Sequence, residues 1–232
     1  MTLEINRVYC GDCLNLMKEI PDKSIDLVLT DPPYGVNYGG GKEKGTIGKA
    51  NACAVKEYVL FDDSAAPSQN HFDEMIRISK NQIFFGGQHF TDKIQKSRGW
   101  IIWDKEVTGG KGDGFCGIEL AWTSFNQGLK KFRFKWNGML QEDMAHKEER
   151  VHPTQKPVKL MEWCLLKYSQ PGDLILDPFL GSGTTAVACV KTGRNYIGIE
   201  KEPKYVETAL KRLEKVNNHK LTDFSILPGV EV

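Results

Sequence analysis

Residues 173–200 read DLILDPFLGSGTTAVACVKTGRNYIGIE. Asp173 to Asp177 is an apolar run of strand length, and Pro178 to Thr185 is a turn carrying Gly181 and Gly183. Small residues then continue through Val190 as a helix, and Asn195 to Glu200 forms a second strand ending on a carboxylate. Strand, glycine turn, helix and strand make a βαβ unit, which requires a parallel sheet covered on both faces. Glycine lets the backbone approach a ligand that a side chain would block. A carboxylate about twenty residues further on can accept hydrogen bonds from two ribose hydroxyls. The pattern fits a nucleoside site, although a structural turn in a doubly wound sheet has the same spacing. No Gly-Lys-Ser or Gly-Lys-Thr follows, so a phosphate-binding P-loop is excluded.

Working outward, Pro203 opens a helix with Val206, Ala209, Leu210 and Leu213 directed inward. Upstream, Pro157 sits in the first turn of a helix whose face is Val158, Met161, Leu165 and Tyr168. At the other end of the chain, Arg7 to Cys10 reads as a short strand, Leu14 to Ile20 as a helix and Ser24 to Thr30 as a second strand. Phe72, Met75 and Ile76 mark the face of a helix over 68–79, followed by a buried strand from Gln82 to Gly86. Trp100 to Trp103 and Ile118 to Trp122 are further strands, and the stretch after them reads as irregular. The whole predicts one α/β domain over 1–232, with a doubly wound, mainly parallel sheet.

With 232 residues, 40% of them hydrophobic and 26% charged, the chain has material for one sizeable core and lies outside the disordered class. Lysines and arginines number 31 against 30 acidic residues, so attraction to a polyanion has to come from local patches. No membrane-length apolar run and no signal-like start is present, which predicts a cytoplasmic protein with no membrane partner. Cys10, Cys13, Cys53, Cys116, Cys164 and Cys189 are scattered, several in apolar runs, and read as reduced thiols.

A second constellation is Asp31-Pro32-Pro33-Tyr34 at the carboxyl end of a strand, where open α/β sheets place their ligands. Two prolines hold the Asp31 carboxylate, the Pro32 carbonyl and the Tyr34 ring in a rigid group. Two acceptors beside an aromatic face suit the exocyclic amine of a planar base. Six glycines with interspersed lysines lie between Gly35 and Gly48, predicting a mobile loop over about 35–57.

These motifs together resemble the beta class of DNA amino-methyltransferases, which use S-adenosyl-methionine. Asp31-Pro32-Pro33-Tyr34 matches the catalytic motif, and Asp177-Pro178-Phe179-Leu180-Gly181-Ser182-Gly183-Thr184 matches the cofactor motif, in the permuted order of that class. Gly11-Asp12-Cys13 and His152-Pro153-Thr154-Gln155-Lys156-Pro157 match two more segments, so the resemblance covers most of the chain. It implies a circularly permuted Rossmann-like methyltransferase sheet in which Arg7 to Ile20 continues the series begun by the C-terminal unit. It implies catalytic roles for Asp31, Pro32, Pro33 and Tyr34. The cofactor would be bound by Asp31, Asp177, Phe179, Gly181, Ser182, Gly183 and Thr184, with Glu200 on the ribose. Asp12 and Cys13 would border the adenine, and Lys156 would lie near the methionine carboxylate. The resemblance implies double-stranded DNA as the target and allows a homodimer, as in other members of the class, some of which accompany restriction nucleases. Aspartate at position 31 points to adenine N6. Cytosine N4 is the nearest alternative, and an RNA or protein-glutamine methyltransferase or a non-catalytic module of the same fold lies further off.

Lys130, Lys131, Arg133 and Lys135 alternate with Phe132, Phe134 and Trp136, as a half-buried strand does. They fall in the region, about 105–150, where the class carries target recognition, which makes them candidate DNA contacts together with Lys42 and Lys44 of the glycine-rich loop. No metal site is expected. Cys10 and Cys13 have the spacing of a zinc pair without a second pair, and His146-Lys147-Glu148 lacks the Pro-Cys-x-x-Cys of zinc deaminases. No proline precedes a cysteine, which sets cytosine carbon methylation aside.

Overall fold

A computed structural model describes residues 3–36, 63–106, 117–137 and 140–217. The chain order is β1 (Arg7–Cys10), α1 (Cys13–Met17), β2 (Ile25–Thr30), α2 (Gln69–Ile78), β3 (Ser79–Phe85), β4 (Gly99–Asp104), β5 (Ile118–Thr123) and β6 (Lys130–Arg133). There follow β7 (Trp136–Asn137), β8 (Leu140–Gln141), α3 (Val158–Tyr168), β9 (Leu174–Asp177), α4 (Thr184–Thr192), β10 (Asn195–Glu200) and α5 (Pro203–Asn217).

Eight strands form one sheet in the order β1-β10-β9-β2-β3-β5-β4-β6. From β1 to β3 every pairing is parallel, while β5 runs antiparallel to both β3 and β4. The expected continuation holds: Arg7 to Cys10 pair in register with Ile197 to Glu200. Alternate side chains leave a strand on opposite faces, so Leu27 and Leu29 join α3, α4 and α5 on one face while Val28 joins α1 and α2 on the other. Burial on both faces explains the nearly continuous apolar strands. After β2 the chain covers one face, and after β9 it covers the other. The adjacent carboxyl ends of β2 and β9 are therefore the switch point of the sheet, the place where open α/β folds form their ligand crevice.

Several boundaries differ from expectation. Helix α1 stops at Met17, because Asp12 caps its start (3.1 Å to the Asn15 amide) and Glu19 and Ile20 close the last turn on Leu16 and Met17. On α2 the third buried position is Ile78, with Ile76 only partly covered. β3 begins at Ser79, directly after that helix. Pro157 is the extended residue before α3 rather than its first turn. The region read as irregular contributes β6 to the central sheet, and β7 and β8 pair as a separate ribbon. Most of the glycine-rich 35–57 segment lies outside the described residues.

Candidate active site

Thr30 ends β2 with its hydroxyl donating to Asp177 Oδ1 at 2.6 Å, which ties β2 to β9. Asp31 follows at the crevice. Tyr34 Oη donates to Asp31 Oδ1 at 2.6 Å, and Lys156 Nζ donates to Oδ2 at 2.6 Å and to Tyr34 Oη at 3.3 Å. The Tyr34 ring lies against Gly86, whose φ is +69° and where a Cβ would stand 2.1 Å from Tyr34 Cε1. Its own neighbours are the His89 ring, stacked at 4.9 Å, and the edge of Phe90 at 6.1 Å. Only glycine provides both that space and that backbone conformation.

Two acidic and two basic side chains meet here. Glu119, the second residue of β5, places Oε2 3.1 Å from the Lys156 ammonium and engages Lys105 through Oε1. Burial pushes the Asp31 carboxyl above its ordinary value and Glu119 adds to that, while Lys156 and the Tyr34 hydroxyl oppose it. Burial also acts against the charge on Glu119, but Lys156 and Lys105 outweigh it and hold that carboxyl low. For Lys156 the same desolvation is overcome by Asp31 and Glu119, and the ammonium stays charged. The resemblance implied Lys156 at the cofactor's methionine end; the structure places it on the Asp31 carboxylate. Glu119 was missed by sequence reasoning, although an acid inside the apolar run Ile118-Glu119-Leu120-Ala121-Trp122 was its signal.

On the other side of the crevice, Glu200 Oε2 accepts from the Gly181 amide at 2.7 Å and Oε1 from the Glu202 amide at 2.8 Å. Each oxygen keeps lone-pair capacity for a hydroxyl. Gly181 is left-handed (φ +54°), and a Cβ there would enter open space. The Phe179 ring stands 6.1 Å from the His71 ring, and His71 feels the charge of Asp12 at the start of α1. Burial, with Asp12 beside it, pushes the Cys13 thiol up to about 12. Asp12, Cys13, Phe179, Gly181 and Glu200 thus gather at the carboxyl ends of β1, β9 and β10. His71 joins them unanticipated, its only signal being an aromatic on the exposed side of a helix start. An aromatic wall, open space over a glycine and a fixed carboxylate fit a nucleoside cofactor.

Four expected cofactor residues turn into the protein instead. The Asp177 carboxylate is filled by Thr30 Oγ1 (2.6 Å), Thr185 Oγ1 (2.6 Å) and the Phe179 amide (3.1 Å), with burial pushing it up to about 6. Gly183 faces α5, where a Cβ would stand 2.7 Å from that of Ala209. The Ser182 and Thr184 hydroxyls are engaged by Arg212 at 3.0 and 3.1 Å, and the other arm of Arg212 pairs with Glu148 at 2.8 Å. These residues shape the turn; Phe179 and Gly181 face the crevice.

Among the candidate DNA contacts, Lys131, Arg133 and Lys135 are exposed on one face of the β6 segment. Lys130 falls on the opposite parity with Phe132, whose ring packs against Trp163 at 5.3 Å, so it does not belong to the basic face. Lys131 lies 2.7 Å from Asp104, and Arg133 lies 3.2 Å from Glu106. Lys42 and Lys44 lie outside the described residues. Among the described residues no helix is long and apolar enough to cross a membrane, and no group of three or more potential metal ligands is assembled.

A family model described as DNA methylase, for N6 and N4 methyltransferases, matches residues 68–211. The Type II methyltransferase M.HinfI of Haemophilus influenzae is 31% identical over 268 residues, covering 97% of this chain and 74% of that protein. M.HpaI of Haemophilus parainfluenzae, another Type II methyltransferase, is 28% identical over 248 residues, covering 91% and 75%. The crystal structure of the M1.HpyAVI complex with SAM superimposes with a TM-score of 0.55 at 23% identity, covering 89% of this chain and 98% of that one. The permuted sheet, the Asp31 cluster and these matches agree: the chain belongs to the DNA methylase family of N6 and N4 methyltransferases.

Proposed function

We propose that this protein transfers a methyl group from S-adenosyl-methionine to the exocyclic N6 of an adenine turned out of double-stranded DNA at a specific site. The observation that carries the reading is the Asp31 carboxylate, fixed by Tyr34 and Lys156 at the switch point, with Glu200 and Gly181 across the crevice. The naming of the relatives as Type II methyltransferases supports a role beside a restriction nuclease.

The bound cofactor supplies a methyl group on a sulfonium sulfur, which needs only a nucleophile in line with it. An adenine amine is a poor nucleophile because its lone pair is delocalised into the ring. Asp31 and the Pro32 carbonyl accept its two N–H bonds and favour the pyramidal nitrogen, whose lone pair is then free. Tyr34, held against Gly86 and His89, offers an edge of fixed aromatic surface to the base. Glu200 would hold the ribose, Phe179 and His71 with Asp12 and Cys13 would border the cofactor's adenine, and Gly181 would admit it closely. After transfer the nitrogen carries one proton too many, and the Asp31 carboxylate, raised by burial, is the adjacent base to receive it. Positioning and electrostatics supply the rate, and flipping the base supplies access.

The test is nucleoside mass spectrometry on DNA from a methylation-free bacterial host expressing the chain, with Asp31→Ala as control. N6-methyladenine that vanishes in the control is expected. N4-methylcytosine would keep the mechanism and overturn the base; no methylated nucleoside, or product surviving in the control, would overturn the reading.

A further inference from the structure

Two carboxylates share one ammonium beside the reacting position. The Lys156 donors face Asp31 Oδ2 at 2.6 Å, Glu119 Oε2 at 3.1 Å and Tyr34 Oη at 3.3 Å. The approach to Glu119 lies outside hydrogen-bond geometry. Glu119 Oε2 is buried without a hydrogen-bond partner, an acceptor held open next to a donor. That oxygen is paired with the ammonium by charge at 3.1 Å but not by an aligned N–H bond, so a modest shift of the Lys156 chain would complete the bond.

Both Asp31 oxygens are already engaged, Oδ1 by Tyr34 and Oδ2 by Lys156. A carboxylate neutralised by a short ammonium contact is a weak acceptor for an amine N–H, because the strength of that bond grows with the charge left on the oxygen. Methyl transfer requires the opposite, a strong acceptor at the moment the amine becomes a nucleophile. A small swing of the Lys156 chain from Asp31 to Glu119 meets that need, and the ammonium exchanges one buried carboxylate for another without being stranded.

We infer that Glu119 is a positioning residue for the methyl transfer, drawing the Lys156 ammonium off Asp31 when the target amino group arrives. The inference rests on the reading of Asp31 as acceptor of that group. The charges around Asp31 set its tuning. Lys156 comes from the segment before α3, Glu119 from β5, Tyr34 from its own loop and Asp177 from β9, while Lys105 pairs with Glu119 from behind. Asp31, Glu119, Lys156 and Lys105 together are neutral, so removing either outer partner tips the balance in a known direction.

The experiment uses the full chain, labelled S-adenosyl-methionine and unmethylated bacterial genomic DNA in single turnovers across pH, with calorimetric binding of S-adenosyl-homocysteine and thermal melts alongside. Glu119→Gln is expected to lose about 10- to 100-fold in rate while product-cofactor affinity stays within about threefold. Its acid limb should move down by roughly half to one pH unit, because Asp31 then faces two lysines without a competing carboxylate. Lys105→Met should move the limb up, since the cluster then carries net negative charge. A limb that stays put or moves the other way in either variant overturns the inference, as does an equal fall in rate and cofactor affinity. If Glu119→Gln does not fold, the sign of the Lys105→Met shift decides alone. Product from Asp31→Ala would bring down the reading of Asp31 itself; a silent Asp31→Ala beside a wild-type Glu119→Gln rate and limb would bring down only the role of Glu119.

Discussion

The Lys156 ammonium and the Asp31 carboxylate meet at 2.6 Å although 125 residues separate them in the chain. Their pairing joins the segment before α3 to the loop after β2, and so ties the two motif-bearing halves together through charge. Taking away one member of a buried pair leaves the other without compensation. Lys156→Met should lower stability by about 2–4 kcal/mol in urea unfolding at neutral pH. Adding Asp31→Asn should restore more than half of that stability. Two effects that simply add would show that the pair is not coupled.

Gly86 offers a way to disturb the base side alone. Gly86→Ala drives a methyl group into the Tyr34 ring at a left-handed backbone position. Methyl transfer should fall by at least about tenfold, and S-adenosyl-homocysteine affinity should change by less than about threefold. Calorimetry showing both pockets impaired equally would contradict the separation of base and cofactor sides.

The two glycines of the 181–183 turn should behave differently. Gly181→Ala meets only backbone strain, about 1–2 kcal/mol, but points its methyl into the open space proposed for the cofactor. Gly183→Ala meets that strain and Ala209 as well, so it should be the less stable variant. Paired melts and S-adenosyl-homocysteine titrations should rank Gly183→Ala worse in stability and Gly181→Ala worse in affinity relative to its fall in stability.

His152 couples stability to pH. Burial, followed by the charges of Lys156 and Arg150, depresses its pKa to about 4. An unfolded histidine titrates at ~6.5. Between these values the unfolded chain binds the extra proton, so the His152 contribution is present above pH ~6.5 and fades as pH falls toward ~4. His152→Asn should therefore flatten the acid decline in the urea midpoint; an identical pH slope in the variant would refute the assignment.

Lys131, Arg133 and Lys135 give the proposed DNA face a measurable signature. Neutralising all three should reduce the slope of log affinity against log salt by about 0.9 for each phosphate that no longer meets a cation. Asp104 and Glu106 compete for two of these cations, so Asp104→Asn should tighten binding at low salt. Fluorescence anisotropy on duplex DNA reads both effects, and an unchanged slope would remove these residues from the interface.

The parallel strands were legible because burial on both faces writes an apolar run into the sequence, as in Ile25 to Thr30 and Leu174 to Asp177. The switch-point motifs were legible because proline and glycine fix the backbone locally. What escaped was non-local. Asp177 and Glu200 both end strands as acids, and only the positions of Thr30 and Thr185 turn the first into a buried pin. Glu119 is reached through strand pairings of β5 with β3 and β4, which no local pattern announces. The basic cluster looks like a unit in the sequence, whereas strand parity divides Lys130 from Lys131 and Arg133.

In the sheet order β1 is an edge strand with β10 beside it, and β10 leaves the ribosome almost two hundred residues later (Asn6 reaches Asn195 across 189 positions). During synthesis β2 and β3 can pair early, while the first strand waits for a neighbour that is made far later. Asp31 therefore emerges long before Glu200 exists to complete the crevice. A nascent chain has Asp12, Cys13 and His71 but lacks Phe179, Gly181 and Glu200 until β9, α4 and β10 dock between two segments already made. The crevice is thus completed in one step, when β10 emerges, rather than growing with the length of the chain.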